Sequence, residues 1–231
     1  MPGAAAEPGP TLGSVISTID RHGVARLGDD QELCLEGLWF PISLDRELDA
    51  RDGREVLDQD RSEARFAATG AYNRYGCRIV DLESRNGRML GEELIRAGLA
   101  AVDPSSARLD DAVIDALLAL EDEARQARRG LWQDPATHPK DAGNLKGSIG
   151  VLQMVEGDIR RVSGNDRYVY LNFGADWRTD FTVRLRRKLA EANGFDHETM
   201  KGRKLRVRGV LQESRGPLID IINTQQIEFL P

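Results

Sequence analysis

The sequence predicts an α+β protein, mainly β, made of two small barrel domains joined by a linker. Three features predict it: many short apolar segments, a pair of helices in mid-chain, and a change of charge along the chain. Residues 1–145 carry 17 Lys/Arg and 27 Asp/Glu, whereas residues 146–231 carry 15 and 11, so the two parts have net charges of −10 and +4. Such a split indicates two domains with different electrostatic partners.

The composition is that of an ordinary globular protein, with 30% charged and 40% hydrophobic residues. No run approaches the roughly 18 apolar residues that a membrane helix needs, so no membrane span is predicted. Cys34 and Cys77 are the only cysteines, and His22, His138 and His197 are scattered. These are too few ligands for a closed four-ligand metal site, so we expect neither a metal nor another cofactor.

Residues 1–10 are rich in Ala, Pro and Gly and are predicted to be disordered. They show neither the basic start nor the apolar run of a signal peptide. The alanine run at residues 4–6 is, however, consistent with what remains after a signal peptide has been trimmed. We therefore expect a periplasmic or secreted protein, with a cytoplasmic location as the alternative.

The first domain is predicted over residues 11–133. Short strands separated by turns are expected from Leu12 to Leu38, and two further strands at Ala64–Ala68 and Cys77–Leu82. The charged stretch Pro41–Asp60 between them favours a loop with one or two short helices.

Two helices are predicted at the end of this domain. Apolar residues recur at helical spacing from Met89 to Leu99, and Gly98 suits the helix end. The clearest helix runs from Leu109 to Arg128. Its last turn is rich in arginine, which suits the negative end of the helix dipole, and Gly130 is placed to cap it.

Residues 134–146 contain two prolines and a glycine without periodicity, which predicts a linker. The second domain, residues 147–231, is expected to hold one helix at Arg187–Asn193 and five strands. The predicted strands are Ile149–Ile159, Tyr168–Phe173, Phe181–Leu185, Lys204–Leu211 and Leu218–Ile222. Five short strands and one helix in about 85 residues are typical of a small Greek-key barrel of the OB type.

A distinctive order of phrases closes the first domain. Tyr75-Gly76-Cys77, a strand, the segment Gly87–Ala100, a long helix and Arg129–Trp132 follow one another. This order resembles the staphylococcal nuclease-like (thermonuclease) family, and the resemblance covers roughly Leu12–Trp132. It implies a nuclease-like OB barrel with C-terminal helices. The first half matches weakly, through Gly37–Pro41.

The same resemblance implies that the catalytic positions are degenerate. Active members hold calcium with carboxylates and stabilise the attacked phosphate with two arginines. The arginine positions fall on Cys34 and Cys77, and the positions of the metal-binding aspartate, its neighbour and the glutamate base fall on Trp39, Phe40 and Ile42. None of these side chains is a carboxylate or a cation, so the first domain is predicted not to cut nucleic acid.

Several alternatives stay open in this domain. The resemblance implies that Cys34 and Cys77 converge, which raises a disulfide between them, with two buried free thiols as the alternative. Trp39 and Phe40 either fill the former site as core residues or form a new apolar pocket. A nuclease whose metal site has moved is the enzymatic alternative, and its candidate acidic residues are Asp20, Asp29, Asp30 and Glu36.

The second domain carries the candidate ligand-binding residues. Basic and apolar residues alternate along the strand that begins at Lys204, which predicts a basic outer face and an apolar inner face. A Trp-Arg pair lies in a loop of the kind that OB folds use for ligands. The candidates are Trp177, Arg178, Arg184, Arg186, Lys204, Arg206 and Arg208.

Two phrases of this domain, Tyr170–Gly174 and Asp176–Val183, look similar to C-terminal extensions that accompany thermonuclease-like barrels in some bacterial exported proteins. The likeness covers about Gly147–Leu230 and implies an OB-type barrel. We therefore predict a non-catalytic binding or scaffold protein whose partner is another protein or an anionic polymer. Weak nucleic-acid binding through the second domain is the alternative.

Overall fold

The computed structural model describes residues 16–19, 24–27, 32–40, 65–72, 77–83, 88–105, 109–145, 149–176, 178–195 and 197–231. The described residues form two compact units. The first comprises those up to Val102 together with Asp115–Thr137, and the second comprises those from Asp103 to Ile114 together with His138–Pro231. The expectations for residues 1–10 and for Pro41–Asp60 lie outside the described residues.

The strands described in the first unit are β1 (Ile16–Ile19), β2 (Val24–Leu27), β3 (Glu32–Leu35), β4 (Leu38–Trp39), β5 (Arg65–Tyr72), β6 (Arg78–Glu83) and β7 (Ala101–Val102). Five of them form a sheet with the order β1-β2-β3-β6-β5, in which only β3 and β6 run parallel. β4 pairs with β7 in a separate ladder. The curled sheet is consistent with the predicted OB type of barrel.

Two helices follow in the chain, α1 (Leu90–Arg96) and α2 (Asp111–Gln126), and both lie within the predicted segments. α1 buries Leu90, Leu94 and Ile95 and packs against β6. Gly98 has a φ of +72°, the left-handed conformation expected just after a helix end. The amphipathic pattern of both segments therefore predicted their type and place.

A close backbone contact joins the ends of these helices. The N–H of Leu131 donates to the carbonyl of Gly98 at 2.8 Å. A Cβ atom on Gly98 would lie 2.3 Å from the carbonyl oxygen of Arg129, so only glycine fits. Gly130 was expected to cap α2, but α2 ends at Gln126 and Gly130 begins the 3-10 helix Gly130–Gln133. Gly130 is needed for this contact instead, because its own Cβ would lie 2.3 Å from the Gly98 oxygen.

A buried carboxylate fixes α2 to the strand β7. Glu121 is fully buried, and its Oε2 accepts a hydrogen bond from the backbone N–H of Val102 at 2.6 Å. Its Oε1 accepts from Nη2 of Arg125 at 2.5 Å. The Arg125 guanidinium lies 4.9 Å from the ring centroid of Trp132, which is buried. Pairing of this kind is what allows a charged group to remain in a protein interior.

The strands described in the second unit are β8 (Lys140–Asp141), β9 (Leu152–Asp158), β10 (Arg161–Gly164), β11 (Tyr168–Asn172), β12 (Thr182–Arg186), β13 (Lys204–Ser214), β14 (Gly216–Ile221) and β15 (Ile227–Leu230). They form one sheet with the order β10-β11-β12-β14-β13-β9-β8, and β15 pairs with β13. β12 and β14 run parallel. Two short helices, α3 (Arg187–Ala192) and α4 (His197–Met200), lie between β12 and β13 in the chain.

This sheet is curled, which is consistent with the predicted OB type of barrel. β9 and β10 lie near opposite ends of the strand order, yet only Ile159 and Arg160 separate them in the chain. Inward side chains such as Leu171, Val183 and Leu205 are fully buried and form the core. The predicted fold class, mainly β with a few helices, is confirmed. β10, β15 and α4 were not predicted.

The structure corrects part of the linker predicted at residues 134–146, because this segment contains a paired strand and a core residue. β8 pairs in parallel with β9, with Lys140 opposite Val155, and Leu145 is buried in the core of the second unit. Its glycine lies in a turn rather than in an unstructured connection, since the N–H of Gly143 donates to Oδ1 of Asp141 at 2.8 Å.

In the part of the chain that the structure describes, none of the helices combines the length and the apolar character that a membrane span requires.

Candidate functional site

The described residues at the positions where the resemblance implies catalytic side chains lie on β3, on or just after β4, and just before β6. Cys34 and Cys77 form a disulfide, with their Cα atoms 5.8 Å apart. Cys34 lies on β3, and Cys77 immediately precedes β6, the parallel neighbour of β3. Only 3% of the Cys34 side chain is exposed. A covalent crosslink therefore stands where the resemblance implies two arginines.

The neighbouring positions are aromatic. Phe40 is buried, and Trp39 is half-buried on β4 opposite Ala101. Ile42 lies outside the described residues. Calcium requires several oxygen ligands, whereas the described side chains at the implied positions offer an indole, a phenyl ring and disulfide sulfur. These residues do not fit a calcium ion.

The proposed relocation of the metal site involves mostly residues that the structure does not describe. Asp20, Asp29 and Asp30 fall outside the described ranges, and Glu36 is half-buried in the turn between β3 and β4. Among the described residues, no group of three or more His, Cys, Asp or Glu side chains is placed to hold a metal ion. The enzymatic alternative therefore remains a hypothesis.

The second unit has a cleft of about 570 Å³ on the outer face of β10, β11 and β12. The turn between β13 and β14 forms its opposite rim. The lining residues are mostly polar or basic: Arg161, Ser163, Gly164, Asn165, Tyr170, Asn172, Thr182, Arg184, Ser214, Arg215 and Leu218. Its volume lies in the range of ligand pockets, but its lining is more polar than that of a typical small-molecule site, which favours a polar or charged ligand.

Strand register arranges this face in rows. In one row, Arg161 lies opposite Asn172, and Asn172 lies opposite Thr182. Because side chains alternate along a strand, the neighbouring residues Leu171 and Val183 point into the core instead. The cleft and the core are therefore two faces of the same strands.

The next row carries the charged pair of the cleft. It runs from Ser163 to Tyr170, Arg184 and Asp220, each opposite the next. Arg184 donates from Nε to Oδ1 of Asp220 at 2.5 Å and from Nη2 to Oδ2 at 2.6 Å. Hydrogen bonding to Asp220 raises the pKa of Arg184. This two-pronged contact holds the guanidinium in one orientation on the cleft face.

The floor of the cleft is polar and already hydrogen-bonded. Asn172 and Thr182 are only 4% and 8% exposed. Oγ1 of Thr182 donates to Oδ1 of Asn172 at 3.2 Å, and Nδ2 of Asn172 donates to the Arg161 carbonyl and to Oγ of Ser163, both at 3.3 Å. Since buried polar groups cost free energy unless they are paired, this network fixes the floor in one arrangement.

A strained residue stands at the rim. Arg215, the single residue between β13 and β14, has a φ of +70°, a conformation that favours glycine. The following Gly216 allows close packing, because a Cβ there would lie 2.7 Å from the backbone carbonyl of Thr179. The turn is therefore held against the β11–β12 loop, with Arg215 lining the cleft.

Residues 50–134 match the sequence model of the family described as staphylococcal nuclease homologue. This match confirms the predicted nuclease-like resemblance of the segment. The match includes Cys77, α1 and α2, and it begins after Cys34, Trp39 and Phe40 in the chain. No curated protein matches the chain.

Outside the nuclease-like segment, the sequence-predicted site residues are scattered. Arg184 lines the cleft, and Arg186 is exposed two residues farther along the same face of β12. Arg178 is exposed in the β11–β12 loop, and Trp177 lies outside the described residues. Thus one candidate of the seven is placed in the cleft itself.

The apolar side of β13 is buried as predicted, but its basic residues do not form one exposed stripe. Arg206 bonds Glu156 of β9 and Glu228 of β15 at 2.7 Å each, because strand pairing places both carboxylates directly opposite it. Burial opposes the charge of Arg206, yet these two carboxylates raise its pKa above the usual value. Arg208 is only 4% exposed, and of the three only Lys204 is fully exposed.

Sequence reasoning missed most of the cleft, although two signals were present. Asn172 ends β11 and Thr182 begins β12, and each polar residue directly adjoins apolar residues of its strand, which favours a role beyond core packing. Glycine and asparagine at residues 164–165, and glycine after Arg215, are typical of turns, and Gly164, Asn165 and Arg215 line the cleft. Their convergence depends on the barrel closing, which no local pattern encodes.

Proposed function

We propose that this protein is a non-catalytic binding protein. In this proposal the nuclease-like unit is a scaffold, and the cleft of the second unit binds an anionic ligand. The observation that carries the proposal is the convergence of Arg161, Arg184 and Arg215 above a fixed polar floor. We assign the binding domain to residues 147–231. The structured segment 140–145 precedes it in the chain and packs with it.

The charges of the cleft favour an anion. Within the part of the chain that the structure describes, the exposed Arg161 side chain has no hydrogen-bond or ion-pair partner. Arg184 is oriented by Asp220 and keeps Nη1 outside that two-pronged contact. Residues 146–231 also carry a net charge of +4, which attracts anions over a longer range.

The proposal of a non-cutting first unit rests on its side chains. Attack on a phosphodiester needs an activated water and donors for the developing negative charge. The described candidates for those roles are a disulfide, a half-buried indole and a buried phenyl ring. None of them can activate water or donate to a phosphate oxygen as an arginine does.

The disulfide also supports an oxidising location. Disulfides persist in secreted and periplasmic proteins and are rare in the cytoplasm, where thiols are kept reduced. The Cys34–Cys77 bond therefore favours the periplasm or the exterior over the cytoplasmic alternative.

The binding claim is tested by titrating the full chain with a labelled heparin fragment, a polyanion that carries no bases. We expect Arg161→Glu to weaken binding by roughly tenfold or more, since it reverses a charge in the cleft. Lys204→Glu is the matched control, because it makes the same charge change at an exposed site on β13. Equal weakening by both variants would overturn the cleft as the site.

The claim that the protein does not cut is tested with single-stranded DNA and RNA, with and without calcium. We expect no cleavage. Cleavage that follows the protein through two unrelated purification steps, and that Glu36→Gln abolishes, would instead establish the enzymatic alternative.

A further inference from the structure

We propose that the ligand of the cleft is a single-stranded nucleic acid whose bases stack on the tyrosines of β11. This inference rests on the proposed anion-binding function and narrows its ligand. Tyr168 and Tyr170 are two residues apart on one strand, so both rings lie on the outer face. Their centroids are 6.2 Å apart, and both residues are half-buried. Tyr170 lines the cleft, whereas the Arg184 guanidinium lies 5.1 Å from the ring centroid of Tyr168. Tyr170 is therefore the first stacking position, and Tyr168 offers a base the ring surface that Arg184 leaves open.

Cations flank the two tyrosines across the strands. Tyr170 lies opposite Arg184, and Tyr168 lies opposite the exposed Arg186. Arg161 lies in the adjacent row, on the other side of Tyr170. Rings between cations suit a ligand with alternating bases and phosphates, because stacking and charge neutralisation occur side by side.

The cleft favours unpaired bases over a duplex. A base inside a duplex hides both of its faces in its own stack, so the tyrosine rings could contact a duplex only after unstacking it. A sulfated polysaccharide carries the charge but no aromatic face. Removing one ring that stacks on a base weakens binding by roughly five- to 150-fold, so the rings should separate these ligands clearly.

The floor predicts little sequence preference. Reading a base edge needs donors and acceptors that are free to meet it. Both ends of the Asn172 amide already bond Thr182, Ser163 and the Arg161 backbone. We therefore expect oligonucleotides of different base composition to bind within a few-fold of one another.

The test compares three probes on the full chain at about 0.15 M salt: a labelled oligothymidylate of about 15 nucleotides, its duplex with oligoadenylate, and the heparin fragment. We expect the single strand to bind about tenfold more tightly than either the duplex or the heparin fragment. Tyr170→Leu should weaken the single strand by about tenfold and leave heparin unchanged. Tyr170→Phe, which keeps the ring, should remain within twofold of the parent.

The outcomes separate this inference from the function on which it rests. If all three probes bind equally, and Tyr170→Leu has no effect while Arg161→Glu weakens all of them, anion binding stands and the nucleic-acid assignment falls. If Arg161→Glu changes nothing, both fall. Circular dichroism checks that Tyr170→Leu is folded. Should it be unfolded, Tyr168→Leu takes its place, and an undiminished single-strand affinity would then reject the stacking claim.

Discussion

The two units share a strand order, but different interactions connect the parallel pair of strands in each. In the first unit β3 and β6 form the parallel pair of the order β1-β2-β3-β6-β5. In the second, β12 and β14 form the parallel pair of the order β10-β11-β12-β14-β13. The first pair is crosslinked by the disulfide between the buried Cys34 of β3 and the half-buried Cys77 just before β6. The second pair is bridged by the Arg184–Asp220 ion pair, in which both side chains are about 30% exposed.

That difference suggests how one topology can hold a closed site and an open one. A disulfide between neighbouring strands occupies the space with sulfur and offers no charge to a ligand. An ion pair at the same topological place keeps a guanidinium at the surface and in a fixed orientation. The scaffold role proposed for the first unit and the binding role proposed for the second follow from this contrast.

The largest expected effect comes from removing the crosslink. Replacing both cysteines, Cys34→Ala with Cys77→Ala, opens a loop whose ends are 43 residues apart. The free energy of unfolding of the first unit should fall by about 3–4 kcal/mol, chiefly because the unfolded chain gains entropy. Urea unfolding followed by tryptophan fluorescence measures it, with Trp39 and Trp132 as the reporters in this unit.

The matched experiment in the second unit replaces its ion pair, Arg184→Ala with Asp220→Ala. A half-exposed pair contributes only about 0–1 kcal/mol, so the unfolding free energy should change by no more than that. A loss as large as the one caused by removing the disulfide would contradict the contrast between the two units.

An effect somewhat smaller than that of removing the disulfide is expected from the contact between Gly98 and the backbone at Arg129 and Gly130. Gly98→Ala places a Cβ 2.3 Å from the Arg129 carbonyl and also strains a φ of +72°. We expect a loss of about 3 kcal/mol, from clash and conformation together. Gly202→Ala is the control, since its φ is +82° but nothing lies within 4 Å of the added atom. Its cost should be only about 1 kcal/mol, and thermal unfolding of the two variants compares them.

The smallest effect on stability, but a gain in binding, is expected from Asp220→Asn. The change removes the carboxylate that competes with a ligand for Arg184. Heparin affinity should rise by roughly three- to tenfold, and stability should fall by at most about 1 kcal/mol. Asp166→Asn makes the same charge change at an exposed position between β10 and β11. If both variants tighten binding equally, only the net charge matters and Asp220 has no special place.

The parts that could be predicted from sequence were those that local patterns encode. Helical spacing of apolar residues placed α1 and α2, and short alternating segments with one helix indicated the OB-type second barrel. The phrases around Cys77 and Trp132 indicated the nuclease-like segment, and residues 50–134 match the family's sequence model.

The cleft could not be predicted in the same way, because it depends on strand register. Arg206 was expected to face a ligand, but its strand neighbours place Glu156 and Glu228 beside it. Arg184 was a predicted ligand-binding residue. Its partner Asp220 is 36 residues away in the chain, so no local pattern links the two. Alternation says which face a residue takes, and only pairing between distant strands says what it meets there.

The most direct test of the account is to map ligand contacts on the full chain by NMR. Backbone amide resonances of nitrogen-labelled protein are assigned and followed while oligothymidylate is added. The account predicts concentration-dependent shifts in β10, β11, β12 and the turn at Arg215, with no shifts in β3 or around Cys77. Shifts that cluster around Cys34 and Cys77, with the cleft of the second unit unchanged, would contradict it.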